Sequence, residues 1–147
     1  MVVSEHQLRK EINMDSLVNY KLITNEIRLS NNKLPKGAFS IDPKISRSID
    51  VIDDTHSSVT YILEIKNTPE HPFPIDILVS VTGIFDISCL NEQEVDNFLK
   101  IQSCQIIFPN IRTIVATLTA SSLMPPILLP VIDARKLFGE SEPVEKT

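Results

Sequence analysis

Four stretches in the first ninety residues place apolar side chains at every second position, and after them the period changes. "SVTYILEIKN" sets Val59, Tyr61, Leu63 and Ile65 on one face and Thr60, Glu64 and Lys66 mostly on the other. "FPIDILVSVTGIFDIS" repeats the pattern with Ile75, Ile77, Val79 and Val81. "SRSIDVID" alternates through Ile49 and Val51, and "NYKLITNEIRLSN" through Tyr20 and Leu22 and then Ile27 and Leu29. Strict alternation describes strands with one face covered and the other wet. Turn-forming clusters separate them: "NNKLPKGAF", "DDTHSS" and "NTPEHPFP". The stretch from Asn31 to Pro43 is long and irregular, which reads as a crossover between the first two strands, with hairpins joining the rest.

After Leu90 the spacing becomes helical. Val95, Phe98 and Leu99 share a face in "NEQEVDNFLK", with Asn91 placed as a cap and Glu92 and Glu94 in the first turn. "IIFPNIRTIVATLTASSL" repeats Ile111, Ile114, Val115 and Leu118 at helical intervals. That stripe is either core or a subunit interface. Pro109 suits the first turn of this second helix, or a kink where two helices join. "DARKLF" is a short final helical turn, and "SEHQLRKEINM" forms either a short capped helix or a frayed arm. Strands followed by helices imply the α+β class: a four-stranded antiparallel sheet with helices packed on one face. The domain is expected over residues 17–138, with an arm at 1–16 and a short tail at 139–147.

One segment fits neither element. Met124 to Ile132 in "SSLMPPILLPVID" is nine consecutive apolar residues and prolines. Pro125, Pro126 and Pro130 remove donors that a helix or a central strand would need. An irregular segment lies on the surface, and apolar residues there imply contact with something. The charge-free run from Thr113 to Ile132 has the length of a membrane span, but the proline pair breaks it and its first half is diluted by Thr and Ser. The N-terminal residues contain no apolar core of a secretory signal.

The remaining chemistry is sparse. A net charge of −5 with no Lys/Arg cluster argues against a nucleic-acid partner. Cys89 and Cys104 are isolated, as expected of reduced thiols in a cytoplasmic protein. His6, His56 and His71 have no spacing with Cys, Asp or Glu that would hold a metal. Three glycines exclude a glycine-rich phosphate loop. Asp53–Asp54 beside Thr55 reads as an Asx turn rather than a catalytic carboxylate pair. Cys104 precedes a helix whose N-terminus would lower its pKa, but it has no assignable base. No constellation argues for an enzyme, and no cofactor is implied.

Residues 106 to 138, "IIFPNIRTIVATLTASSLMPPILLPVIDARKLF", resemble the C-terminal half of SecB-type protein-export chaperones. The matching pieces are Phe108–Pro109, Arg112, Pro125–Pro126, Leu129–Pro130 and Leu137–Phe138. "GIFDI" resembles the end of the family's fourth strand and "TNEIRLS" its first, so the likeness runs from about residue 20 to 138. The resemblance implies a holdase that binds unfolded or nascent polypeptides without nucleotide. It implies a homotetramer, a dimer of dimers paired through first-strand edges with helices at the centre. The proline-rich loop would be a lid over an apolar groove between helix and sheet. Phe39, Ile41, Ile49 and Val51 would meet the client from the crossover and second strand, and Met124, Ile127 and Leu129 from the lid. Ile111, Ile114, Val115 and Leu118 would form the oligomer interface, and Glu26 and Asp76 would dock a partner. The chain departs from the family at Ser30 and Leu78, where acids would be expected, and only "GESEPVEKT" follows Phe138, where the family has the tail that engages SecA. Such departures resemble SecB-like proteins that guard a dedicated client such as an antitoxin. Two other readings from the residues are a small apolar-ligand binder and an enzyme using Cys104.

Overall fold

In a computed structural model, residues 18–35 and 37–138 are described. The expected arm at 1–16, with its "SEHQLRKEINM" helix and His6, and the tail at 139–147 lie outside them. The four strands are β1 (Tyr20–Asn31), β2 (Lys44–Val51), β3 (His56–Ile65) and β4 (Ile75–Asp86). They form one antiparallel sheet in the order β1-β4-β3-β2. β2–β3 and β3–β4 are hairpins, and the segment after β1 crosses the whole sheet to reach β2, as its length predicts.

The two central strands bury one face completely. Val59, Tyr61, Leu63 and Ile65 of β3 and Ile75, Ile77, Val79, Val81 and Phe85 of β4 all point to the helix side. Fully burying a large apolar side chain of this kind stabilises by about 1.5–3 kcal/mol, so these two rows dominate the core.

β1 keeps its apolar residues on that face by a different device, although only Leu22 and Leu29 are partly covered and Tyr20 and Ile27 stay exposed. Its first half sends Tyr20 and Leu22 inward opposite Phe85 and Gly83, and its second half sends Ile27 and Leu29 inward opposite Val79 and Ile77. The first pair is even-numbered and the second odd, which one regular strand would put on opposite faces. A bulge between Thr24 and Glu26 inserts Asn25 and resets the phase. The Asn25 amide then donates across the outer face to Thr82 Oγ1 at 2.7 Å and Ser80 Oγ at 3.2 Å.

The helical part is one continuous run rather than two helices. α1 (Glu92–Asn97) opens with a capping box between Asn91 and Glu94, as the sequence predicts. A π-helical turn at Phe98–Gln102 leads directly into α2 (Ser103–Ser121). Pro109 lies inside α2, not in its first turn. Its missing N–H deprives the carbonyl of Gln105, an exposed position where water can replace the donor. α2 crosses β4 and β3 and buries Ile107, Phe108, Ile111 and Val115 against them. Gly83 permits the close approach: a Cβ there would lie 2.7 Å from Phe85 Cζ and 2.9 Å from Ile107 Cδ1. Phe85 meets Phe98 edge-on, with centroids 5.2 Å apart, and so fixes the π turn over the sheet.

α2 stops without a glycine. Leu123 has φ 60°, Leu123 N–H donates to the Ala120 carbonyl and Met124 N–H to the Thr119 carbonyl. This is the closure that a left-handed glycine usually makes. After the irregular segment, α3 (Ala134–Leu137) starts at the cap Asp133, whose carboxylate accepts from Arg135 N–H.

Candidate functional site

The proline-rich segment does not stand off the body. It returns along α2, and its alternate side chains face opposite ways. Ile127 and Leu129 are buried in the core cluster, whereas Leu128 and Val131 are 80% and 81% exposed. At the start of the segment, Leu123 is 97% exposed. Prolines hold this extended shape and leave few N–H groups to satisfy. One that must be satisfied is Ile127 N–H, which donates to Thr119 Oγ1 at 2.8 Å in a buried contact. The same hydroxyl donates back to the Val115 carbonyl at 2.9 Å, so a single fully buried polar side chain of α2 anchors the segment.

The far end is held by aromatic contacts. The Arg47 guanidinium lies 4.3 Å from the centre of the Phe138 ring, and Tyr61 packs on the same ring at 6.1 Å. Arg47 Nη1 donates to the Lys100 carbonyl at 2.9 Å. Lys100 sits in the π turn, where wider winding frees carbonyls from the regular α-helical pattern. Beneath this, Ser103 Oγ donates to the Leu99 carbonyl at 2.7 Å, so the Tyr61 hydroxyl is the donor to Ser103 at 3.0 Å. Burial pushes the Tyr61 pKa up, which keeps it a donor throughout the physiological range.

Of the residues expected to meet a client, five pack on the helix side of the sheet, with Phe39 and Ile49 toward its opposite ends. Phe39, Ile49 and Met124 are half-buried against the core, and Ile127 and Leu129 are part of it. Phe39 stands edge-on to Phe73 at 6.3 Å. Ile41 and Val51 are exposed and flank β2 at opposite ends, about 25–35 Å apart at a strand's rise per residue. They do not join the other five. Ile127 and Leu129 face inward in this conformation and are closed to any outside contact unless the segment lifts. The outward Leu123, Leu128 and Val131 were not singled out from sequence, although alternation along "PILLPV" carries that information.

The expected interface stripe divides in two. Ile111 and Val115 are fully buried against the sheet of their own chain, which removes them from any contact between chains. Ile114 and Leu118 lie on the flank and stay half-buried. The expected docking pair lies on the outer face of the paired strands β1 and β4, with Glu26 opposite Ser80 and Asp76 opposite Ser30. Glu26 is exposed on the outer face, where it pairs with Arg28 at 2.7 Å. Asp76 accepts from Asn67 N–H and from the Asn32 amide, both at 2.9 Å, and these bonds hold its carboxyl below the ordinary value. These bonds tie the crossover and the β3–β4 loop to the sheet.

Cys104 does not have the environment expected of it. The helix runs unbroken into Ser103, so no free helix N-terminus lies beside the thiol. Cys104 is buried, and desolvation pushes its pKa up. Asp53 forms the expected Asx turn: N–H bonds from Thr55 and contact with His56 lower it to about 2.

Among the described residues, no helix is long and apolar enough to cross a membrane. Residues 22–144 match the family described as preprotein translocase subunit SecB. A protein-export protein SecB of Ehrlichia ruminantium is 25% identical over 136 residues, covering 87% of this chain and 69% of that one. An uncharacterized protein of Methanocaldococcus jannaschii is 32% identical over 73 residues, which are 50% of this chain and 47% of that protein, so the match spans about half of that relative. The SecB-like chaperone of Mycobacterium tuberculosis, solved in complex with a peptide from an antitoxin, superposes with a TM-score of 0.66 at 14% identity, covering 79% of this chain and 91% of that one. That likeness is one of fold: a four-stranded antiparallel sheet followed by a long helix. Matched over most of its length by one family model, the chain belongs to the SecB family.

Proposed function

We propose that this protein is an ATP-independent holdase chaperone that binds non-native polypeptides on the helix side of its sheet. The observation that carries the reading is the segment from Leu123 to Val131. It is apolar on both sides, irregular, and anchored to α2 through a buried hydroxyl. Lifting it would bare Ile127 and Leu129 on the face of the sheet that also carries Phe39, Ile49 and Met124. An apolar surface of this kind gives affinity with little side-chain selectivity. The domain is residues 17–138, working in the cytoplasm as a homotetramer, with Ile114 and Leu118 as the helix-side contact.

Family membership supports a role in protein export, with SecA as a partner. The M. tuberculosis neighbour, bound to an antitoxin peptide, supports a second reading in which one dedicated client is guarded. The test is light scattering from a slow-refolding client diluted out of denaturant, without nucleotide. Near-stoichiometric protein should suppress aggregation, and Ile127→Asp with Leu129→Asp should abolish the effect. Unchanged scattering from the folded protein rules out general holding.

A further inference from the structure

Leucine at position 123 is unfavourable on two counts. Its φ of 60° is one that a residue with a Cβ disfavours, and glycine would close α2 there without strain. Its side chain is almost wholly exposed, so no burial within the chain offsets that strain. Glycine would suit the backbone better, and a polar residue would suit the water better. What leucine alone offers at this position is apolar contact with something outside the chain.

Leu123 does not stand alone. With Val131 and Leu128 it makes up three of the four most exposed large apolar side chains among the described residues, all within the stretch 123–131. The bond from Ile127 N–H to Thr119 Oγ1 fixes the segment between them to α2, so the three are presented in a set order. No residue from Thr113 to Ile132 is charged, and Pro125, Pro126 and Pro130 have no N–H to offer. Beside Leu128 lies an open cleft of about 420 Å³, with Pro109, Thr113 and Ala116 of α2 across from it and Arg112 as the one charged residue in its lining. Exposed apolar side chains concentrated in this way mark an interaction site.

The dimensions select the occupant. An extended stretch of this length spans about 30 Å. A strip one chain wide is about 10 Å across with its side chains. It therefore presents about 300 Å², against about 800 Å² on each side of a stable contact between folded subunits. Ile114 and Leu118 each lie two residues from Ala116, about 160° around the helix axis, so contact between copies through them uses the flank away from the cleft. A narrow, uncharged strip beside a cleft fits a single extended chain.

We infer that the outward side of the closed segment, formed by Leu123, Leu128 and Val131 with the cleft beside them, docks an extended apolar stretch of client. This rests on the client-binding reading above and adds a second, outer surface to it. The inner surface requires the segment to lift, whereas the outer one is complete while the segment is closed. A client is thereby engaged before the segment opens, with its apolar residues covering Leu128 and Val131 and a neighbouring side chain entering the cleft.

The test uses a Leu- and Val-rich peptide, dye-labelled at the N-terminus and amidated at the C-terminus so that neither end is charged. A central diazirine leucine makes it photo-reactive. Irradiation with the native protein should leave adducts on Leu123, Leu128 or Val131, or on Thr113 and Ala116 across the cleft. The variant Leu123→Asn with Leu128→Gln and Val131→Gln removes the strip at exposed positions only, and asparagine tolerates φ 60°. Its affinity for the peptide by fluorescence anisotropy should fall about tenfold, the scale of losing a few partly covered aliphatic groups. Adducts confined to Ile127, Leu129 and the sheet, or an unchanged affinity in the variant, overturn the inference and leave client binding standing. Failure of the native protein to bind the peptide overturns both. If the folded variant's assembly differs in mass by sedimentation, the strip joins copies and the inference fails. Crosslinking of the native protein decides the matter even if the variant does not fold.

Discussion

The hydroxyl of Thr119 is the most economical place to perturb the proline-rich segment. Thr119→Val keeps the shape and the β-branch but deletes the acceptor for Ile127 N–H. The helix itself should be little affected, because bonds from Thr to the preceding turn are weakly destabilising at most. The donor, by contrast, is left buried at a cost of about 1–3 kcal/mol. The chain can avoid that cost by letting the segment lift, which hydrates the N–H. The closed conformation should then lose about 5- to 150-fold in population relative to the open one. Amide hydrogen exchange at Ile127 reads this ratio directly. Its protection should fall by that factor, while amides of β3 and β4 change little. Thr119→Ser keeps the hydroxyl and serves as the control. If Ile127 protection is unchanged in Thr119→Val, or falls equally in Thr119→Ser, the bond does not hold the segment closed.

Other perturbations test the frame around it. Gly83→Ala should destabilise by about 1–3 kcal/mol in urea unfolding, because its Cβ meets Phe85 and Ile107, and Ile107→Val in the same chain should restore part of the loss. Leu123→Gly should raise stability by about 1 kcal/mol, since glycine adopts φ 60° without a Cβ penalty, and an unchanged melting temperature would count against strain there. The Asp76 carboxyl is held below its ordinary value near 3.8, so the folded state binds fewer protons than the unfolded one. Its stabilisation is present above that value and is lost as pH falls through the lowered one. Asp76→Asn should flatten the acid limb of the stability curve below about pH 4.

Much of the frame was legible because burial on one face leaves a simple imprint. β3 and β4 are covered by α2, and buried and half-buried side chains alternate from Val59 to Ile65 and from Ile75 to Val81, broken only by the buried Ser80. β1 was legible only in halves, because the phase change at Asn25 is set by pairing with β4. Helical spacing could not divide the stripe: Ile111 and Val115 differ from Ile114 and Leu118 by which flank the sheet covers. Pro109 carried an ambiguous signal, since proline suits a first turn and an exposed interior position alike. Leu123 gave no stop signal because it does a glycine's work. The anchoring role of Thr119 is a fact of tertiary placement, and nothing local in the sequence marks it.

The extra residue in β1 also acts as a frame marker. Substituting Asn25 removes two hydrogen bonds, but deleting it would shift Glu26, Arg28 and Ser30 to the helix side and turn Ile27 and Leu29 to solvent. The same slip limits what can add to the free edge. A straight strand aligned with Tyr20–Thr24 falls out of step beyond Glu26, so it pairs along one half or carries a matching irregularity. An edge of twelve residues thus offers a casual partner only about five or six in register, roughly 17–20 Å. The bulge that lets a mixed-parity sequence cover its core is also a safeguard against indiscriminate strand addition.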